Sequence, residues 1–165
     1  MVIEVDDSGW GDLIGGAVIV LRRVETNEYY TDEMPPELFK EEEFKYKTYL
    51  RYVTRIILEG LDDLKAPKNE AIHICTGYIF EQAEETLREL GYKVIEVKIE
   101  GKTQDLAEKT FIESLVRQGI GTFDEIASMR SFNGFLEWLA EDLPHREKYV
   151  KTGWKNWNKH REDIS

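Results

Sequence analysis

Cysteine is nearly absent from this chain. A single residue, Cys75, stands among 165. An internal disulfide is therefore excluded, and the thiol fits a reducing compartment. Histidine is scarce too: His73, His145 and His160 show no ligand spacing, so a Cys/His zinc site is not expected. No run approaches the ~20 apolar residues of a membrane span. The chain opens directly on Val2-Ile3-Glu4-Val5, without a leader pattern. The expectation is a cytoplasmic protein with no membrane association. Prolines are few, and they fall at breaks: Pro35-Pro36, Pro67 and Pro144.

Positive charge is in deficit. Lys and Arg number 22 against 33 Asp and Glu, a net charge of −11. Phosphate neutralisation supplies most of the affinity of a generic nucleic-acid binder, and such a binder should be basic. The deficit is uneven. Residues 145–165 hold six Lys/Arg and three Asp/Glu, a local +3, which leaves the remainder near −14.

What the chain does have is a substantial apolar share, 41%, which argues against disorder. Its length suits one domain with a real core. One stretch organises it: Val5-Asp6-Asp7-Ser8-Gly9-Trp10-Gly11-Asp12-Leu13-Ile14-Gly15-Gly16. Two adjacent acids end an apolar run, glycines follow, and a β-branched run begins at Ala17. This pattern predicts strand, tight turn, strand. Glycine admits positive φ and leaves room for something to approach the backbone. Crowded carboxylates at such a turn call for a cation or a partner.

Further along, Tyr29-Tyr30-Thr31 predicts a third strand, and short connections make the first three an antiparallel meander. Leu50, Val53, Ile57, Leu61 and Leu64 form one face of a helix spanning about 41–65. Residues 71–76 and 92–99 alternate as strands, separated by a helix over about 79–90. A helix over 104–118 follows. Thr122 and Glu125 form a capping box that opens another over about 123–142. The order is βββ-α-β-α-β-α-α plus a tail. It predicts a mixed five-stranded α/β sheet, three strands antiparallel and then two parallel, flanked by helices. Residues 1–120 form the expected core, and 121–165 a helical extension with a basic, aromatic tail packed on the same domain.

That order is similar to the ribonuclease H-like fold, and the opening stretch is more specific. Asp6-Asp7-Ser8-Gly9-Trp10-Gly11-Asp12-Leu13-Ile14-Gly15 resembles the first motif of type 2 ribonucleases H, Asp-Glu-x-Gly-x-Gly-x-x-x-Gly. The resemblance covers about fifteen residues closely, and residues 1–120 by topology. It implies a metal-dependent nuclease, a phosphodiester hydrolase that cuts the RNA strand of an RNA–DNA hybrid or a structured nucleic acid, with magnesium or manganese as cofactor. Asp6 and Asp7 are then catalytic and metal-binding, and the turn at Gly9, Trp10 and Gly11 meets substrate. The pattern departs in one place: the acid expected at the end of the fourth strand is replaced, and Thr76 stands there as a substrate-contacting residue. Asp105 and Glu108, one helical turn apart, are the choices for the remaining catalytic acid, and Asp105 for a further metal ligand. Acids in a helix's first turn also simply favour its dipole.

Lys102 is a candidate phosphate contact. Trp154 and Trp157, with Lys151, Lys155, Lys159 and Arg161 around them, suit base stacking and phosphate binding, or the docking of an amphipathic end helix onto the core. Two further uses are open for residues 121–165: covering the site, or building a homo-oligomeric interface. Because of Thr76 and the acidic balance, a second reading stands beside the nuclease: a catalytically degenerate binding or interaction module.

Overall fold

The computed structural model describes residues 1–154 and 156–165. Lys155, one of the tail cations, lies outside the described residues. Five strands form one sheet: β1 (Val2–Ser8), β2 (Ala17–Arg23), β3 (Tyr29–Met34), β4 (Ala71–Cys75) and β5 (Val94–Val97), in the order β3-β2-β1-β4-β5. The first three are antiparallel, and β4 and β5 run parallel to β1. The expected mixed sheet is the one observed. β1 sits at its centre, so the carboxyl ends of β1 and β4 open side by side at one edge. That is where α/β sheets hold ligands.

Eight helices are present among the described residues: α1 (Glu41–Phe44), α2 (Thr48–Asp63), α3 (Glu81–Glu89), α4 (Lys102–Arg117), α5 (Phe123–Met129), α6 (Phe132–Glu141), α7 (Leu143–Arg146) and α8 (Trp157–Ile164). Alternation along the strands gives the sheet two apolar faces. One face buries Ile3, Val5, Ile19, Leu21, Ile72 and Ile74 against Val53, Ile57 and Leu61 of α2 and Leu87 of α3. On the other, Val18 packs with Phe111 and Leu115 of α4, Phe135 and Leu139 of α6, Val150 and Trp157.

Two predicted helices are split. The run from residue 41 divides because Lys47 takes a left-handed conformation, φ 55°, between α1 and α2. The run over 123–142 breaks at Arg130, whose backbone is extended. Ser131 then restarts the chain as an N-cap, its hydroxyl accepting from the Gly134 N–H. The capping box of Thr122 and Glu125 forms as expected. Pro144 lies in the first turn of α7, where its missing N–H costs nothing.

Buried polar links fix the helices to the sheet. Arg23 donates to both carboxylate oxygens of Glu70 and to the Leu64 carbonyl, tying the end of α2 to β2. On the other face Arg22 donates to Thr103 Oγ1 at 2.8 Å, and Thr103 to Glu4 at 2.6 Å. This chain sets α4 against β1. No helix among the described residues is long and apolar enough to cross a membrane.

Candidate active site

β1 carries Glu4, Asp6 and Ser8 toward α4, while Ile3 and Val5 face the α2 side. Asp6 and Asp7 come at the strand's end, where Gly9 turns the chain at φ +98°. A Cβ on Gly9 would lie 2.3 Å from the Phe111 ring, so only glycine lets the turn settle on α4. A cleft of about 430 Å³ opens there. Asp6, Asp7, Gly9, Trp10 and Gly11 from the turn, Cys75 and Thr76 from the end of β4, and Gln104 and Glu108 from α4 line it. Lys98 and Arg130 also line it.

The acids are under strain of charge. Asp6 is buried, and its carboxylate accepts the Asp7 N–H at 2.8 Å. Burial raises its pKa, and the charges of Glu108 and Glu4 add to this, against the hydrogen bonds from the Asp7 backbone and Cys75. Burial, with the charge of Asp6 beside it, pushes Asp7 up to about 7. Burial and the same two carboxylates push the Cys75 thiol up to about 11. Neither Asp6 nor Asp7 has an ion-pair partner among the described residues. Ligand atoms of Asp6, Asp7 and Cys75 all lie within 4.8 Å of one another. Two carboxylates held close and dehydrated, with a third acid across the cleft, make a donor set that fits a divalent cation, because the cation offsets their repulsion.

This charge strain has a measurable consequence. An acid whose folded pKa lies above its unfolded value binds a proton in the folded chain that the unfolded chain has already released, so stability falls as pH rises through that window. With Asp7 moved from 3.8 to about 7, unfolding in a chelating buffer should show stability dropping between about pH 4 and 7. At ~1.4 kcal/mol per unit, the Asp7 share is at most about 4 kcal/mol. Asp7→Asn should flatten the slope in part. Asp6, raised by burial, and Glu84, which burial and the adjacent Glu96 raise to about 7, should keep the rest.

The sequence-proposed residues divide. Asp6, Asp7, Gly9, Trp10, Gly11, Thr76 and Glu108 meet in the cleft. Lys102 and Asp105 are exposed in the first turn of α4 and stand outside its lining. Trp10 turns partly inward, its ring 5.0 Å from that of Tyr49 and 5.4 Å from that of Trp154. Cys75 packs against the core and also opens on the cleft.

Arg130 was not foreseen. Its guanidinium donates to Ser8 Oγ at 2.8 Å, pairs with Asp12 at 3.0 Å and lies over the Phe111 ring. It brings a cation to the acidic cleft from 122 residues away. Lys98, exposed just beyond β5, is the second.

The C-terminal segment braces the turn from behind. Ile14 bridges Val150, the Gly15 N–H donates to the Tyr149 carbonyl, and the Lys151 N–H to that of Leu13. Lys151 is itself buried, its Nζ donating to the carbonyls of Asp12 and Ile14, each at 2.8 Å. Burial pulls its pKa down to about 7. It holds the turn, and its head is not free for a phosphate. Trp157 is buried and Trp154 packs edge-on against Trp10 and tilted against Phe44, the docked arrangement of the two weighed for the tail.

A central β1 between an antiparallel β2 and a parallel β4, with the acids at the β1 end, defines the ribonuclease H-like fold, and this chain has it. It is similar to the structure of Bst-RNase HIII in complex with Mn2+, with a TM-score of 0.66 and 15% identity over 99% of this chain and 70% of that one. The PCNA–RNase HII complex from Archaeoglobus fulgidus matches at 0.62 and 14%, over 96% and 94%. Ribonuclease H2 from Pyrococcus horikoshii matches at 0.58 and 14%, over 99% and 98%. No protein-family model and no curated protein matches the sequence.

Proposed function

We propose that the chain is a divalent-metal-dependent phosphodiester hydrolase acting on nucleic acid. The observation that carries this is the pairing of Asp6 and Asp7 in an open cleft with Glu108 facing them, neither aspartate having an ion-pair partner among the described residues. The likeness of the fold to RNase HII and HIII supports it, and the Mn2+ in one RNase HIII supports a divalent cofactor.

Asp6 and Asp7 would hold magnesium or manganese, with Glu108 completing the set from α4. When bound, the metal supplies an activated water and neutralises charge on the phosphate. The protein's own part is positional. The Gly9–Gly11 turn lets a backbone strand come close, since a Cβ on Gly11 would meet nothing within 4 Å. Arg130, already oriented by Ser8 and Asp12, and Lys98 offer cations to phosphates flanking the cut. The substrate class is an RNA–DNA hybrid or a structured nucleic acid. The net charge of −11 keeps affinity low and confines strong binding to low salt.

The test is cleavage of RNA–DNA hybrid, duplex DNA and single strands with magnesium or manganese at low salt. Cleavage of none of them overturns the reading. A second reading, a binding module of the same fold, is favoured by the end of β4, where Cys75 and Thr76 bring no carboxylate. Retained binding of the same nucleic acids without cleavage would support it. In either case Arg130→Gln should lower the slope of log affinity against log salt by about 0.9, the share of one phosphate contact. An unchanged slope would remove Arg130 from the interface.

A further inference from the structure

We propose that Cys75 is a third protein ligand at the Asp6–Asp7 site, so that the cleft takes a divalent first-row transition ion in preference to magnesium. This rests on the reading that the cleft binds a metal, and it goes on to name which one.

The strand register sets the geometry. β1 and β4 are parallel, with Val5 opposite Ile74. The next positions along are Asp6 and Cys75. The thiol sulfur lies with carboxylate oxygens of Asp6 and Asp7 in a group whose members are all within 4.8 Å of one another. It is the one such group of three or more Asp, Glu, His or Cys ligands among the described residues. Asp6, only 6% exposed, lines the cleft and has no ion-pair partner among the described residues. The thiol is partly exposed, so an ion entering from solvent reaches it.

Donor chemistry then selects the ion. Magnesium demands a near-octahedral set of oxygens and keeps its waters. A thiolate is soft and favours zinc, cobalt and their neighbours. On coordination the thiol proton passes to solvent and the sulfur binds as thiolate, so the site becomes two carboxylates and one thiolate. Glu108 faces this set and carries the remaining negative charge. Manganese, the weakest transition ion of the series, stands between the two preferences.

Because the chain has one cysteine, any sulfur-to-metal signal belongs to Cys75. The full chain is titrated with Co2+ alone and followed by absorption. A thiolate-to-cobalt charge-transfer band in the near ultraviolet is expected, with its loss on adding Zn2+. Cys75→Ser should abolish the band and weaken Zn2+ and Co2+ binding, measured by calorimetry, by more than ~10-fold. Its Mg2+ affinity should be unchanged and its circular dichroism native. Cys75→Asp should shift preference toward Mg2+. Cobalt binding without the band, or the same ion preference in wild type and Cys75→Ser, overturns the proposal. Nucleic-acid cleavage is read separately. A band without cleavage keeps Cys75 as ligand and sinks the hydrolase; magnesium-supported cleavage without a band does the reverse.

Discussion

If the cleft is a metal-dependent hydrolase site, Asp6→Asn should abolish the cleavage while leaving the fold intact. Loss of a residue that merely orients a metal ligand costs 10–100-fold, so loss of the ligand itself should exceed about 100-fold. The substitution keeps the shape of the side chain and its acceptor for the Asp7 N–H. It removes the charge that burial and Glu108 already disfavour. The apo protein should therefore melt no lower than wild type, and it should lose the upward shift of melting temperature that a bound divalent ion gives. Thermal denaturation with and without metal measures both, beside the cleavage assay. Cleavage that survives Asp6→Asn would place the reaction at another site or in a contaminant. A melting temperature far below wild type would mean that the Asp6 charge is structural, with the Asp7 N–H its true partner.

How far the site could be read in advance depended on how local each residue's signal was. Asp6, Asp7 and the glycines are neighbours, and their spacing alone announced a turn with acids at its mouth. The choice between Asp105 and Glu108 could not be made from sequence, because both lie near the start of one helix. Packing makes it. Phe111 and Leu115 are buried against Gly9 and Gly15, which rotates α4 so that Gln104 and Glu108, four residues apart, meet the cleft. Asp105 falls one step round the helix, into solvent. Lys102 lies outside the cleft lining for a similar reason: it is the first residue of α4 and exposed. Arg130 was hidden inside an apparent single helix. Only the break before Ser131 turns its side chain to Ser8 and Asp12. The sheet was legible because alternation and 3.6-residue periodicity are properties of the segment. The cations of the cleft were not, because they arrive by contacts between distant segments.

Gly16→Ala is the substitution in the turn with the largest expected cost in stability. A Cβ at Gly16 would lie 2.0 Å from the Met34 carbonyl oxygen and 3.2 Å from the carbonyl carbons of Met34 and Pro35. The obstacle is backbone, held by the β2–β3 ladder in which Ala17 faces Met34. No rotamer change relieves it. Overpacking of a core by a methylene costs 1–3 kcal/mol where side chains can give, so about 3 kcal/mol or more is expected where they cannot. For a chain of this size that lowers the melting temperature by ~6–12 °C. Gly11→Ala is the matched control. It lies in the same turn with open space around it and no positive φ, and should stay within ~0.5 kcal/mol of wild type. If Gly11 is there to admit a nucleic-acid backbone, Gly11→Ala should weaken substrate binding without touching stability. Equal melting losses in the two variants would refute the contact at Met34. An unimpaired, stable Gly11→Ala would show that the open side of the turn does not face the substrate.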